Sequence, residues 1–186
     1  DPTGLTNALA AGAKSRGAKF MFNTRVTGIT VSGNEVRGVV TDRGEVRSEV
    51  VINAAGLWGN DIASMVGITL PIIPMAHLYL ITKPVKNQPQ TMPTMRDPDN
   101  LIYFRGSDSG MVAGGYERQP APWGLDGVPQ DWNFKLLEPD WDRFTPLMEN
   151  IIKRVPAMES VEIAQLLNGP EGFTPDSEYL LGPTSV

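Results

Sequence analysis

Apolar residues recur three and four positions apart at the start of the chain, as they do on one face of a helix. The residues on this face are Leu5, Ala8, Leu9 and Gly12. Thr3 can cap the beginning of a helix, and Gly17 stands where a helix commonly ends in the left-handed conformation. This pattern predicts a helix over residues 3–16.

Short runs rich in β-branched residues follow this helix, which is typical of strands. The runs cover residues 19–22, 25–31, 35–41 and 45–51. Gly33 and Gly44 lie in the polar stretches between the later runs, where tight hairpin turns need a positive φ that glycine adopts readily. The pattern predicts an antiparallel meander.

Residues 50–55 are continuously apolar apart from Asn53. A run of this kind is expected of a strand that is buried on both faces. Gly56 follows it directly, and residues 61–66 have the pattern of a short helix. Such a junction of strand, glycine and helix brings the backbone close to whatever lies beside it.

Prolines separate short extended pieces over residues 71–98, which contain six of them. Runs of β-branched and apolar residues predict further strands at residues 75–82, 101–105, 111–116 and 161–167. Residues 106–110 are predicted to form the turn between the middle two strands. Residues 120–139 are predicted to form a long ordered loop that carries Trp123 and Trp132.

The last predicted helix covers residues 141–155, where apolar side chains are spaced three and four positions apart. Pro146 interrupts this pattern, but proline suits the first turn of a helix if the helix begins near Thr145. Residues 168–176 contain two glycines and two prolines, so they are predicted to form a turn-rich segment.

His77 is the only histidine of the chain and therefore its only imidazole base. In a strand, residues 77 and 79 share one face. One interpretation is that His77 and Tyr79 point into a cavity together with Tyr103 and supply a base and hydroxyl donors. The alternative is a histidine that is hydrogen-bonded at the edge of a sheet.

Arg96 and Arg105 are candidates for binding a substrate carboxylate, because a guanidinium group can donate two hydrogen bonds to it. The alternative for Arg96 is an ion pair with the neighbouring Asp97. Residues 168–176 are a further candidate, because a rigid loop of glycine and proline can aim backbone groups at a ligand. A purely structural turn can have the same composition.

The amino-acid composition and the absence of certain motifs exclude several kinds of site and partner. The 186 residues include no cysteine, which excludes disulfides, thiolate nucleophiles and zinc sites built on sulfur. A net charge of -5 gives no electrostatic reason to expect nucleic acid or an anionic membrane as a partner. No Gly-x-Gly-x-x-Gly or Gly-x-Ser-x-Gly motif is present, and the carboxylates are scattered, so no metal site is expected.

Several motifs stand in order along the chain. They are Asp-Pro-x-Gly-Leu at the start, Thr24-Arg25-Val26, the run 50–58 ending in Ala54-Ala55-Gly56-Leu57-Trp58, the proline-rich run 71–79, Ile102-Tyr103-Phe104-Arg105, Gly114-Gly115-Tyr116-Glu117 and residues 168–176. Over essentially the whole chain, this order resembles the FAD-dependent D-amino-acid-oxidase superfamily. The segment 168–176 resembles most specifically the dimethylglycine and sarcosine dehydrogenases within it.

This resemblance implies an α+β fold, in which a mixed or antiparallel sheet forms the substrate-binding domain of a D-amino-acid-oxidase-like flavoprotein. Residues 1–67 would be a partial segment of the FAD-binding domain. Residues 68–167 would be the substrate-binding domain, and residues 168–186 would return toward the FAD domain.

The resemblance also implies roles for particular residues. Those expected to contact FAD are Val26 beside the adenosine half, Ala54, Ala55, Gly56 and Trp58 near the phosphates and ribityl chain, and Gly169, Pro170 and Glu171 on the substrate side of the isoalloxazine. Those expected to be catalytic are His77 and Tyr103. Those expected to bind the substrate are Tyr79, Arg105, Phe173 and Thr174.

The implied function is the oxidation of an N-methylated glycine, dimethylglycine or sarcosine, by hydride transfer to the flavin. Hydride loss requires the lone pair of the amine, so a group must accept the ammonium proton. A histidine, with an ordinary pKa of about 6.5, suits that task. The imine product would be hydrolysed by water or intercepted by tetrahydrofolate on a separate domain.

The family places its nucleotide-binding motif before the first residue of this chain and a second flavin-contacting segment after Gly182. The chain is therefore expected to be the middle of a larger enzyme, and alone it is expected neither to hold FAD tightly nor to turn over. Its location is expected to be the cytoplasm, or the mitochondrial matrix in a eukaryote. The electron acceptor stays open.

Two alternatives remain at this point. One is another enzyme of the same superfamily, acting on a 2-hydroxy acid or on glycerol 3-phosphate. The other is a non-catalytic ligand- or protein-binding module, in which the tryptophan-rich loop 120–139 could serve as an interaction surface.

Overall fold

The computed structural model describes residues 2–89, 91–107 and 110–185. The chain divides into two compact units. Unit 1 comprises Asp1–Ile52 and Pro183–Val186, and unit 2 comprises Asn53–Gly182.

Unit 1 contains one helix and a small sheet. Helix α1 covers Pro2–Ser15, and strands β1 (Val26–Ser32), β2 (Glu35–Thr41) and β3 (Gly44–Arg47) follow it. The strands pair in the antiparallel order β1-β2-β3. The predicted helix and meander are confirmed, although β3 ends at Arg47 rather than at residue 51.

The strand predicted over residues 19–22 is wrong. This segment lies outside the strands. Phe20 and Phe22 instead stack on each other with ring centroids 5.9 Å apart. The ammonium of Lys14 lies over both rings, at 5.1 and 5.2 Å from their centroids. These local aromatic and cation–π contacts stabilise the segment without a partner strand.

The strand predicted over residues 50–55 is also wrong. No described strand pairs with this run, and Val50 and Ile52 are 70% and 84% exposed. Asn53 bonds local backbone instead: its side-chain nitrogen donates to the carbonyl of Gly59 (2.8 Å), and its side-chain oxygen accepts from the N–H of Ala55 (3.2 Å). These bonds stabilise a turn rather than an extended strand.

Unit 2 begins with this turn. A short 3-10 helix, Gly56–Trp58, leads into helix α2 (Gly59–Ser64). The predicted short helix is therefore confirmed, two residues earlier in the chain than expected.

A five-stranded antiparallel sheet forms the centre of unit 2. Its strands are β4 (Ile73–Thr82), β5 (Met95–Asp97), β6 (Ile102–Ser107), β7 (Gly110–Gly115) and β8 (Ile163–Phe173), in the order β5-β6-β7-β4-β8. The four predicted strands are confirmed, whereas β5 was not predicted. The predicted turn 106–110 includes Asp108 and Ser109, which lie outside the described residues.

One face of this sheet is the hydrophobic core. It presents fully buried side chains to helix α3 (Trp141–Arg154). The largest of these core side chains are Leu78, Leu80, Ile102, Phe104, Phe144, Ile151 and Met158. Because side chains alternate along a strand, the opposite face of the same strands is available for other chemistry.

Helix α3 begins at Trp141 and ends at Arg154, one residue before the end of the predicted range 141–155. Its cap is Asp140, whose side-chain oxygen accepts a hydrogen bond from the N–H of Arg143 at 3.0 Å. Pro146 therefore lies inside the helix and not in its first turn. The condition for proline in the first turn, a helix that begins near Thr145, is not met because the Asp140 cap stabilises the turn that precedes the proline.

Strand β8 extends to Phe173, so the turn-rich segment predicted at residues 168–176 is a strand over most of its length. Pro170 lies opposite Ala76 of β4. The N–H of Ala76 points away from β8 and donates to Ala121. Pro170 therefore sits at a position whose backbone nitrogen faces outward, where the ladder to β4 needs no donor.

Among the described residues, no helix combines the length and hydropathy needed to cross a membrane.

Candidate active site at one end of the five-stranded sheet

The register of the sheet brings distant polar residues onto one face. Tyr103 of β6 and Tyr79 of β4 both lie opposite Gly114 of β7, one on each side. His77 shares the face of Tyr79, because it is two positions away on the same strand. The predicted grouping of His77, Tyr79 and Tyr103 follows from this register.

His77 and Tyr103 are in direct contact. The distance from Nε2 of His77 to the hydroxyl oxygen of Tyr103 is 3.4 Å. The two rings are nearly parallel, with an interplanar angle of 12°. His77 is 7% exposed and belongs to β4, which has a neighbouring strand on each side, so it does not lie on an edge strand of the sheet.

Gly114 makes this contact possible. A Cβ atom at that position would lie 2.6 Å from the hydroxyl oxygen of Tyr103 and 2.8 Å from Cβ of Tyr79. Both distances are shorter than real carbon contacts allow. The two tyrosines can therefore flank this strand only because residue 114 has no side chain.

Burial changes the acidity of Tyr103. Desolvation raises the pKa of its phenol to about 12, and the nearby Tyr116, Glu171 and Tyr79 add to the effect. Arg105 acts in the opposite direction. Tyr103 therefore carries its proton at every physiological pH and can act as a hydrogen-bond donor, but not as a base.

Tyr116 completes the aromatic group and was not predicted. Its ring centroid lies 4.7 Å from that of His77 and 6.1 Å from that of Tyr103. The guanidinium group of Arg96 also lies over the Tyr116 ring, with its central carbon 5.8 Å from the ring centroid. The alternation of side chains could have identified Tyr116, because it stands two positions beyond Gly114 and so shares its face.

Arg96 does not pair with its neighbour. Asp97 instead contacts Arg154, with nitrogen and oxygen 3.5 Å apart, and accepts a hydrogen bond from Asn100 at 2.9 Å. No described carboxylate forms an ion pair with Arg96. The guanidinium group of Arg96 is thus held by an aromatic ring and retains its capacity to bind an anion.

A cavity of about 960 Å³ opens at this end of the sheet, where β4 and β6 begin and β7 and β8 end. The predicted site residues that line it are Ala54, Ala55, Gly56, His77, Phe173 and Thr174. Arg96, Tyr116 and Glu117 also line it. The arrangement places a base, a cation, a carboxylate and a wall of small residues around one space.

Other predicted site residues lie elsewhere. Those of unit 2 that do not line the cavity are Trp58, Tyr79, Tyr103, Arg105, Gly169, Pro170 and Glu171. Of these, Tyr103 reaches the cavity wall through His77, and Gly169 lies opposite His77 on β8. Val26 is the first residue of β1 in unit 1.

The residues present fit a flat aromatic cofactor such as the flavin of FAD. The cavity volume is near the top of the range of about 300–1,000 Å³ that is usual for ligand and cofactor sites. Ala54, Ala55 and Gly56 form a wall without bulky side chains, which lets a planar ring approach the backbone. A side-chain oxygen of Glu117 is buried without a hydrogen-bond partner, so the site also holds an acceptor for a bound group.

The described residues contain no cluster of three or more histidine, aspartate or glutamate side chains that could hold a metal ion.

Comparison with known proteins relates the whole chain to one family. The family described as "FAD dependent oxidoreductase" (DAO) matches residues 1–186. Human sarcosine dehydrogenase, named as mitochondrial, is 37% identical over 98% of this chain. Mouse dimethylglycine dehydrogenase is 34% identical over 98% of it, and the mouse pyruvate dehydrogenase phosphatase regulatory subunit is 34% identical over 96%. The chain spans 20–22% of the length of these relatives.

A solved structure shows the same fold. L-proline dehydrogenase from P. horikoshii matches 99% of this chain with a TM-score of 0.81 and 28% identity, over 47% of its own length. This likeness confirms the predicted α+β fold of D-amino-acid-oxidase-like flavoproteins.

Proposed function

The chain belongs to the family of FAD dependent oxidoreductases, and we propose that its unit 2 forms the amine-binding side of an enzyme that oxidises an N-methylated glycine. The family indicates FAD as the cofactor. The proposed substrate is supported by two relatives, a sarcosine dehydrogenase and a dimethylglycine dehydrogenase, which are 37% and 34% identical to this chain. The observation that carries the proposal is that Arg96 and His77 flank Tyr116 on one cavity wall.

The cofactor would rest against the wall of small residues. Ala54, Ala55 and Gly56 would hold it, together with Phe173 at the end of β8. When bound, FAD supplies a hydride acceptor for the carbon next to the amine nitrogen. The predicted contacts of Val26, Trp58, Gly169, Pro170 and Glu171 with FAD belong to this proposal.

Arg96 orients the substrate. Its guanidinium group lies over Tyr116 and has no described carboxylate partner, so it can receive the carboxylate of a glycine derivative. Arg105 does not line the cavity; its guanidinium contacts the carbonyl of Gly106 at 3.4 Å. Arg96 is therefore better placed than Arg105 to orient the substrate carboxylate.

His77 accepts the proton that the ammonium group must lose before its lone pair becomes available. If Nε2–H is donated to the phenol oxygen of Tyr103, then Nδ1 is the free acceptor for that proton. Tyr103 stays protonated because of its raised pKa, so it fixes the ring of His77 rather than competing for the proton. Tyr79, which lies opposite Gly114, keeps its predicted role in binding the substrate as part of this proposal.

The experiment measures flavin reduction in the complete natural protein that contains this chain. The protein is mixed without oxygen with sarcosine, dimethylglycine, or a 2-hydroxy acid of the same size, and flavin absorbance is followed. Rapid bleaching by the two methylated amines and none by the hydroxy acid is expected. Bleaching by the hydroxy acid alone would replace the proposed substrate class by that alternative.

The mitochondrial matrix is the proposed location, because the sarcosine and dimethylglycine dehydrogenases are both named as mitochondrial. A tetrahydrofolate acceptor for the product stays a prediction from the resemblance.

A non-catalytic role is the second candidate, favoured by one observation. A relative named as the regulatory subunit of pyruvate dehydrogenase phosphatase matches this chain at 34% identity, the same value as mouse dimethylglycine dehydrogenase. The same experiment separates the two functions. Bound flavin that no amine or hydroxy acid reduces would favour the non-catalytic role.

A further inference from the structure

Glu117 has an unusual environment for a carboxylate. It follows directly after Tyr116 and lines the cavity. Its Oε1 atom is buried and has no hydrogen-bond partner among the described residues. A buried acceptor left without a donor costs free energy, more so when it is charged. A cation that binds in the cavity beside Glu117 would offset that cost.

The cavity also contains a positive charge, the guanidinium group of Arg96, that is not paired with Glu117. Arg96 lines it, and none of the ion pairs between described residues joins Arg96 to Glu117. Glu178 lines the cavity too, but it is an exposed residue. Two unpaired groups of opposite charge on one wall are complementary to a ligand that carries both charges itself.

We propose that Glu117 binds the ammonium group of a zwitterionic substrate while Arg96 binds its carboxylate. This inference rests on the proposed amine oxidation and adds a specificity-determining residue to it. The carboxylate of Glu117 forms an ion contact with the cationic nitrogen, whether or not that nitrogen carries a hydrogen. A hydroxy acid of the same shape brings no positive charge to Glu117, so it binds more weakly than the zwitterionic amine.

Glu117 and His77 then have different tasks. Glu117 holds the amine in its cationic form as the substrate enters. His77 subsequently takes the proton, which frees the lone pair. Loss of Glu117 therefore weakens binding of the cation, whereas loss of His77 slows the oxidation step.

The test compares two ligands that differ only in charge. Trimethylglycine carries a quaternary nitrogen, which has no lone pair. Because hydride loss from the neighbouring carbon requires that lone pair, this ligand cannot be oxidised. In 3,3-dimethylbutyrate a neutral carbon replaces that nitrogen, and the carboxylate is the same. Calorimetric titration of the complete FAD-loaded protein gives both dissociation constants without any turnover.

The wild-type protein is expected to prefer trimethylglycine, and Glu117→Gln is expected to lose about 10- to 100-fold of that preference, the range that corresponds to one contact between opposite charges. Affinity for 3,3-dimethylbutyrate should stay unchanged. Glu149→Gln is the matched control, because it removes the same charge from an exposed position on α3.

Two results would overturn the inference. One is an unchanged ratio of the two affinities in Glu117→Gln, and the other is an equal loss for both ligands, which would indicate a structural role. If Glu117→Gln does not fold, Glu117→Asp keeps the charge but shortens its reach, and an unaltered ratio there counts equally against the inference. Failure of every amine to reduce the flavin would instead contradict the proposed function, and the ligand ratio would still report on Glu117.

Discussion

The hydroxyl oxygen of Tyr103 lies 3.4 Å from Nε2 of His77, although 26 positions separate the two residues in the sequence. Strands β4 and β6 carry them, and β7 lies between these strands. The contact crosses over β7 at Gly114, where there is no side chain to obstruct it. The geometry of the proposed base thus depends on a glycine in a third strand.

Replacement of His77 by glutamine should slow flavin reduction by the amine by about 10²–10⁴-fold, the usual contribution of a positioned base. Glutamine retains hydrogen-bonding capacity but cannot take up a proton near neutral pH. Stopped-flow absorbance measures the reduction rate, and the affinity for 3,3-dimethylbutyrate, which needs no proton acceptor, serves as the internal control. An unchanged reduction rate would exclude His77 as the base.

Tyr103 should make the stability of the protein fall at alkaline pH. Its folded pKa of about 12 lies above the ordinary tyrosine pKa of 10.0, so between these values the unfolded chain loses a proton that the folded chain keeps. The stabilisation is complete below pH 10 and is lost as the pH rises toward 12. Tyr103→Phe should flatten this fall in urea unfolding curves measured across that range.

The matched control for this experiment is Tyr179→Phe, which removes a hydroxyl from a residue that is 79% exposed. It should leave the alkaline slope of the unfolding free energy as it is in the wild type. An equal flattening in both variants would show that the slope does not come from the burial of Tyr103.

Gly114→Ala should destabilise the protein by about 1–3 kcal/mol, the usual cost of forcing a side chain into a packed site. The new Cβ would lie 2.6 Å from the hydroxyl oxygen of Tyr103, so the ring must move away from His77. Gly28→Ala is the control: its Cβ would meet Val40 at 3.7 Å, an ordinary contact, and it should change stability by less than about 0.5 kcal/mol. Thermal unfolding of both variants distinguishes these outcomes.

Asp140→Ala should lower the unfolding free energy by about 0.5–2 kcal/mol, because it removes the acceptor for the N–H of Arg143 at the start of α3. Asp142→Ala, in the first turn but not at the cap, should cost less, about 0.3–1 kcal/mol through the helix dipole alone. Chemical denaturation measures both. Equal losses would show that the cap is not what fixes the beginning of α3.

Much of the fold could be predicted because local patterns and tertiary packing agree there. Gly33 and Gly44 mark turns that the structure confirms, and the spaced apolar residues of α3 pack on the sheet. The prediction was wrong over residues 168–173, where pairing with β4 outweighs the turn preference of glycine and proline. It was wrong over residues 50–55 because a strand exists only where another strand pairs with it.

The candidate site was predicted only in part. His77, Tyr103 and the wall at Ala54–Gly56 could be chosen from chemistry and resemblance, but the sequence does not show which strands are neighbours. Glu117 was missed for that reason, since it reaches the cavity only because β7 ends where β4 begins. The predicted roles of Val26, Tyr79 and Arg105 stay predictions.

The outer edge of β8 is protected against pairing with a strand of another molecule in concentrated solution. The outward carbonyl of Asn168 accepts the N–H of Leu137, and the side chain of Asn168 donates to Glu138, so the loop covers that part of the edge. Two residues further on, Pro170 offers no backbone donor to an approaching strand. Consecutive outward positions of β8 are therefore closed to strand addition, which protects this sheet against edge-to-edge aggregation between molecules.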